Sequence, residues 1–412
     1  MHLYEIPMVF VLVGLALYVV LGGADFGAGL WQLATLPSGE RGREVREHAH
    51  HAMGPVWEAN HVWLIFVLTV TWTAYPRAFA SIASTLAVPL FLAALGVIAR
   101  GAAYALRSGA RRPAELARID TVFAISSLLT PFALGAVVGA VAAGRVPLGN
   151  AAGHLFSSWT GPTSILTGAL AVAVSAYLAA VYLAADAVRA GERRLADQFR
   201  ARALIAAVLA GALAVAGLLV LHDDAHRVYH RLLDGPGLPG LAISVVAGVA
   251  TVALVLARRF EPARVSAALA VVGMIVGWAL AQQPYVLAHL TLRQAAAPHE
   301  TLVLVLVAIA VGAAVLFPSL GLLFRLVLGG RFDAAASAAY DVTPASGFGE
   351  LLAPAAQGLR GRLAVAGLLG GIGFLTIAEA PWAHGLGVAC LFAAMILGFF
   401  AIDPAGVARR EQ

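Results

Sequence analysis

Residues Ile6–Trp31 read IPMVFVLVGLALYVVLGGADFGAGLW, an apolar run interrupted by a single acid, Asp25. Roughly 20 apolar residues in helical conformation cross the hydrocarbon of a bilayer, and this run is longer than that. No basic segment precedes it, and it is too long for a signal-peptide core, so it reads as a retained first transmembrane helix. Ten further apolar blocks follow. They run near Trp57–Tyr75, Phe79–Ala99, Thr121–Ala143, Pro162–Ala185, Ala203–Leu221, Leu241–Ala257, Val265–Ala281, Thr301–Val327, Leu363–Ile377 and Gly385–Ile402. Periodicity and length together predict an all-α polytopic membrane protein with about eleven transmembrane helices.

The composition agrees with that reading. Of the 412 residues, 61% are hydrophobic and 12% charged, against about 25% charged in an average soluble domain. Too little charge remains to coat a soluble particle, which excludes a soluble enzyme and a disordered regulator. The single cysteine, Cys390, excludes a disulfide scaffold and any paired-cysteine metal or haem motif. The net charge is +5 and every basic residue is arginine. The arginines sit in short loops between apolar blocks, which makes them topology signals and not a nucleic-acid surface. All but five of the 27 (Arg77, Arg145, Arg227, Arg231 and Arg293) fall in alternate loops or the tail. The positive-inside rule then sets the N-terminus outside and the C-terminus in the cytoplasm. Residues 1–330 form the main membrane domain. Residues 331–361, rich in Ala, Gly and Ser, read as a cytoplasmic linker, and residues 362–412 as an extra transmembrane hairpin. Gly367 and Gly371 carry GxxxG spacing, either a helix-contact face or simple tolerance of glycine in a membrane helix.

An ionisable group inside an apolar span costs several kcal/mol and asks for a reason. Asp25 lies among Gly22, Gly23, Gly27 and Gly29, whose missing side chains let a neighbouring helix or water approach. It is either a proton-handling group or a structural carboxylate paired with an arginine. The second cluster, Gly54-Pro55-Val56-Trp57-Glu58-Ala59-Asn60-His61-Val62-Trp63-Leu64, opens the second span on the same side. Glu58 and His61 are three apart and share a helix face. Acid and imidazole at such depth suit a proton relay; N-terminal capping with an interfacial tryptophan belt accounts for the same residues. Asp120 precedes the fourth block and reads as a helix cap or a relay group. Arg100, ending the third block, pairs with one of the acids or snorkels.

Histidines offer fewer options. His48, His50 and His51, beside Glu44 and Glu47, read as a solvated helix. His222, His226 and His230 recur every four residues, so one helical face would present all three to a metal such as zinc; without an HExxH pattern, the metal reading is the weaker one. His289 and His384 stand alone, with nothing around them marking a haem pocket. No phosphate-binding loop, dinucleotide fingerprint or serine-nucleophile signature occurs.

These stretches resemble subunit II of the bd-type quinol oxidases. The resemblance rests on Gly23-Ala24-Asp25-Phe26-Gly27-Ala28-Gly29, on the Gly54–Leu64 cluster, on Ile98-Ala99-Arg100-Gly101, and on Asp120 with Pro131, Gly135 and Gly139. A weaker echo is Gln283-Pro284-Tyr285-Val286. It covers about residues 1–330. Two departures stand out: the family commonly has Asp-Gly-Asn where this chain has Glu58-Ala59-Asn60, and Glu or Gln where it has His61. The resemblance implies two four-helix bundles plus a ninth helix, with the C-terminal hairpin as an addition. It implies a multi-pass subunit of the bacterial plasma membrane that carries no haem. A partner, subunit I, would hold haems b and d and oxidise the membrane quinol. A structural quinone in this chain and small single-helix subunits are further partners of such enzymes. The residues matching Asp25 and Glu58 would belong to a proton path from the cytoplasm, with Asn60 and His61 extending it, and Trp57, Trp63, Arg100 and Asp120 in support. A proton-coupled transporter without a haem partner is the alternative that the charges alone leave open.

Overall fold

The computed structural model describes residues 2–35, 42, 44–49, 57–107, 113–328, 359–376 and 380–401. The first span begins as α1 (Ile6–Leu17), passes through a π-helical turn over Tyr18–Gly22 and continues as α2 (Gly23–Ala34). It is followed by α3 (Trp57–Ala74), the short α4 (Pro76–Thr85), α5 (Ala87–Arg107), α6 (Pro113–Ala142), α7 (Pro162–Arg189) and α8 (Arg193–Asp224). Then come the short α9 (His226–Leu233), α10 (Leu238–Leu256) and α11 (Phe260–Gln282). A two-stranded antiparallel hairpin, β1 (Tyr285–Leu287) and β2 (Leu290–Thr291), leads into a single turn, α12 (Leu292–Ala295), and then α13 (His299–Leu328). A separate compact unit begins at Val315 and includes α14 (Leu359–Thr376) and α15 (Pro381–Ala401).

Eight helices among the described residues are long and apolar enough to cross a membrane. Helices α3 and α15 are apolar over shorter runs, Asn60–Ala74 and Gly385–Ala394. Each of the eleven apolar blocks overlaps a helix. The third block is not continuous, however. The chain turns at Leu86, between α4 and α5. Pro89 lacks the amide that a continuous helix would direct to the Thr85 carbonyl, so the break falls there.

Within residues 1–314, α2 lies against α6 and α7, α5 against α6, α6 against α7, α7 against α8 and α11, and α10 against α11. The main core is built from small residues: Ala179, Ala180, Ala184, Ala187 and Ala263 are wholly buried, with Leu178 and Phe199 filling the wider gaps. Without a hydrophobic drive between helices in lipid, such close backbone contact supplies the packing energy. A Cβ at Gly27 would stand 1.9 Å from the Ser175 carbonyl oxygen, and one at Gly139 would stand 2.6 Å from the Ser164 Cα. Glycine at these positions is therefore what allows α2 to seat on α7 and α6 on α7. A second core gathers Tyr75, Leu86, Leu287, Leu290 and Ala295 at the hairpin end. There the Tyr75 hydroxyl donates to the Tyr4 carbonyl at 2.7 Å. In the separate unit, α14 packs on α15 with Gly367 and Gly371 facing the backbone of Cys390 and Gly387, so the GxxxG pair is a contact face. The linker segment up to residue 358 lies outside the described residues.

Candidate functional site: a buried carboxylate and guanidinium

Asp25 and Arg100 are each 1% exposed. Arg100 Nη2 donates to Asp25 Oδ1 at 2.6 Å and to the Asp25 backbone carbonyl at 3.0 Å. Arg100 Nη1 donates to Ser127 Oγ, and that hydroxyl in turn donates to the Phe123 carbonyl at 2.6 Å. The guanidinium lies 4.1 Å from the centroid of Phe123 and 5.1 Å from that of Phe26, a cation between two π faces. Of the alternatives open for Arg100, the structure has the ion pair and not the snorkelling side chain.

Local sequence explains the fit. Gly29 sits one turn after Asp25, and a Cβ there would fall 2.1 Å from Ser127 Oγ and 3.1 Å from Arg100 Nη1. Its absence is what lets the guanidinium and hydroxyl reach the surface of α2. The π-helical turn Tyr18–Gly22 directly precedes α2. Such turns disturb the regular carbonyl ladder and gather at functional positions. Here the Leu21 carbonyl, inside that turn, accepts from Asn60 Nδ2 at 3.4 Å, and Asn60 is 6% exposed.

His61 stands between two aromatic rings, 6.0 Å from the centroid of Tyr18 and 5.9 Å from that of Phe26. Among the described residues, Asp25 Oδ2, Arg100 Nε and the Tyr18 hydroxyl, all buried, have no hydrogen-bond partner. A purely structural ion pair in a dry interior normally satisfies both carboxylate oxygens, because an orphaned buried polar atom costs about 1–3 kcal/mol. Among the described residues, Oδ2 is thus the carboxylate oxygen of the pair left without a hydrogen bond.

The other sequence-derived residues distribute unevenly. Glu58 and Trp57 lie in the first turn of α3, but their side chains are outside the described residues. Trp63 packs edge-on against Phe66, with ring centroids 6.4 Å apart. Asp120 is not a helix cap. Helix α6 starts at Pro113, and Asp120 lies within it, facing Arg107 at 3.5 Å. The helix simply extends past the apolar block into its charged flank. Asp120 and Arg107 line a small recess with Ala103, Tyr104, Ile119 and Phe123. Phe123 thus has the Arg100 guanidinium over its ring while also lining that recess. Sequence reasoning missed Tyr18, Phe26, Phe123 and Ser127. All four are ordinary membrane-helix residues, and only Tyr18, two helical turns before Asp25, carried any signal.

The histidines also differ from expectation. His48 is half-buried, within 3.1 Å of the Leu183 carbonyl and with its ring tilted 40° to that of Phe199, so it is packed more closely than a solvated helix face implies. His50 and His51 lie outside the described residues. His222, His226 and His230 do not share one continuous helix, because α8 ends at Asp224 and Ala225 leaves helical geometry. Among the described residues no group of three or more metal-ligating side chains is arranged to hold a metal. His289 is exposed at the turn of the β hairpin. The side chain of His384 lies outside the described residues.

A bundle of apolar helices that buries a carboxylate–guanidinium pair, with one carboxylate oxygen left free, is a polytopic membrane protein with a charged site inside its spans. The family model for cytochrome bd terminal oxidase subunit II matches residues 3–327, and the chain belongs to that family. Two curated relatives come from Bacillus subtilis (strain 168). Cytochrome bd ubiquinol oxidase subunit 2 is 30% identical over 133 residues, covering 32% of this chain and 38% of that protein. Putative cytochrome bd menaquinol oxidase subunit II is 21% identical over 220 residues, covering 53% and 62%. The chain thus matches less than two thirds of the length of either. A chain of the bd oxidase from Geobacillus thermodenitrificans is similar in structure, with a TM-score of 0.62 and 25% identity over 80% of this chain and 99% of that one.

Proposed function

We propose that this chain is the haem-free subunit of a bd-type quinol oxidase of the bacterial plasma membrane. In this reading it assembles with a haem-bearing subunit I and supplies part of a cytoplasmic proton path. All eleven apolar blocks cross the bilayer, N-terminus outside, in two four-helix bundles plus a ninth helix and the C-terminal hairpin. The partner's haems b and d supply the reduction of oxygen by quinol electrons. This chain's residues hold and move protons. Asp25 Oδ2 is the proton-holding atom. Arg100 fixes Oδ1 and leaves Oδ2 free, while Ser127 and Phe123 hold the guanidinium in place. His61 exchanges protons with Asp25, and Glu58, one turn before His61 on α3, receives them from the cytoplasm. Asn60 ties the start of α3 to the π-helical turn.

The observation that carries the reading is the half-satisfied pair: a buried carboxylate with one oxygen clamped and the other free. Co-purification tests the assembly. A coloured complex with a second membrane subunit is expected, and a colourless chain that stays active alone would refute it. Glu58→Gln tests the path: turnover falls while haem content stays normal. Loss of haem instead would make Glu58 structural. Residues 331–361 and 362–412 are, in this reading, a cytoplasmic linker and a hairpin that occupies the surface used by small single-helix subunits.

A further inference from the structure

Helix α9 carries a second polar cluster, at the end of the molecule opposite the arginine-rich loops. His226 Nε2 and His230 Nε2 stand 3.1 Å apart, with the two rings at 82°. The other nitrogen of each ring is already committed. His226 Nδ1 lies 2.7 Å from the His222 carbonyl oxygen, and His230 Nδ1 lies 3.3 Å from Asp234 Oδ2. A carbonyl and a carboxylate only accept, so both Nδ1 atoms carry hydrogen. The two Nε2 atoms then face each other, an arrangement that repels unless a proton or a metal ion lies between them. Imidazoles that ligate metals are typically held this way, with the far N–H given to a carbonyl or carboxylate. At the usual zinc–nitrogen length of about 2.0–2.1 Å, a 3.1 Å separation subtends about 100° at the metal, close to a tetrahedral angle. Both rings are exposed, which leaves the remaining positions open to water. Asp223 and Asp234 add negative charge around the cluster.

We propose that His226 and His230 form a two-histidine site for a divalent transition-metal ion of the zinc and copper class, the ions for which imidazole is well suited. Asp234 and the His222 carbonyl orient the two rings. This site is distinct from the three-histidine face read from the sequence. The break at Ala225 sets His222 on a different helix and leaves the pair on α9.

The test uses the full chain purified from the membrane without a histidine tag, titrated with zinc chloride by calorimetry. One zinc ion per chain is expected. Binding weakens at least tenfold in His226→Ala and in His230→Ala. It weakens about tenfold in Asp234→Ala, the usual effect of losing an orienting carboxylate. It stays within twofold in His299→Ala, an exposed histidine elsewhere. Equal zinc binding in the wild type and both α9 histidine variants overturns the proposal. Copper(II) paramagnetic resonance on the wild type gives a readout that does not depend on any variant folding. Two coordinated nitrogens are expected, and one or none would mean that the pair shares a proton instead of a metal.

Discussion

Replacing Arg100 by Met keeps most of the side-chain volume and removes the charge. It abolishes the 2.6 Å bond to Asp25 Oδ1, the 3.0 Å bond to the Asp25 carbonyl, the bond to Ser127 and the cation over Phe123. Asp25, 1% exposed, is left as a buried charge without its partner. Breaking such a pair from one side costs about 3–5 kcal/mol, mostly the penalty of the stranded charge. The cost has a ceiling, because protonating an ordinary carboxyl at pH 7 takes about 4 kcal/mol. The expected loss for Arg100→Met is therefore about 3–4 kcal/mol. Adding Asp25→Asn removes the stranded charge, and a pair in direct contact should then show a coupling energy of roughly 2 kcal/mol. The assay is a double-mutant cycle on detergent-denaturant unfolding of the purified protein, with turnover measured in parallel. Additive effects of the two substitutions, with coupling under about 0.5 kcal/mol, would refute the claim that this ion pair organises the site.

Four further outcomes follow from packing and hydrogen bonding. Gly27→Ala places a Cβ 1.9 Å from the Ser175 carbonyl, so yield and thermal stability of the folded chain fall sharply, by about 1–3 kcal/mol or more. Gly211→Ala, with nothing within 4 Å of its Cβ, is neutral or stabilising by up to about 1 kcal/mol in the same thermal assay. Asp224 accepts from the Thr163 hydroxyl at 2.6 Å and from Arg145; Thr163→Val removes the hydroxyl bond and lowers stability by about 1–2 kcal/mol in detergent unfolding. Arg189 and Glu261 form a two-bond ion pair, but both are more than half exposed, so Glu261→Gln shifts the unfolding midpoint little, and raising salt erases the shift.

Asp25 stood out in the sequence because a carboxylate in an apolar run has no cheap explanation, and the glycines around it announced a close neighbour. Arg100 was a candidate partner for one of the acids, but which acid it meets was not legible. Arg100 lies 75 positions away, and its pairing depends on how α5 and α6 seat against α2. Ser127 and Phe123 were silent for the same reason: a serine and a phenylalanine in a membrane helix carry no chemical mark until an arginine approaches them. Asp120 was misjudged because apolar pattern marks where lipid ends, whereas a helix continues as long as its backbone is satisfied. The break at Leu86 escaped notice because it falls inside an apolar block, and that at Ala225 because it falls within an even histidine spacing between two blocks. At Leu86 a proline three residues on gave a faint signal. At Ala225 none was present, and the three evenly spaced histidines suggested one continuous face. The apolar blocks were the most readable feature, since every one of them overlaps a helix.

The central claim is that Asp25 Oδ2 holds a proton in transit, and proton uptake by the reconstituted oxidase complex tests it most directly. Quinol-driven uptake from the side of the arginine-rich loops would be followed in proteoliposomes carrying the wild type or Asp25→Asn, with the haem spectrum recorded on the same sample. The account predicts an unchanged haem spectrum and at least a tenfold slower uptake in Asp25→Asn. Uptake at the wild-type rate with intact haem would contradict it.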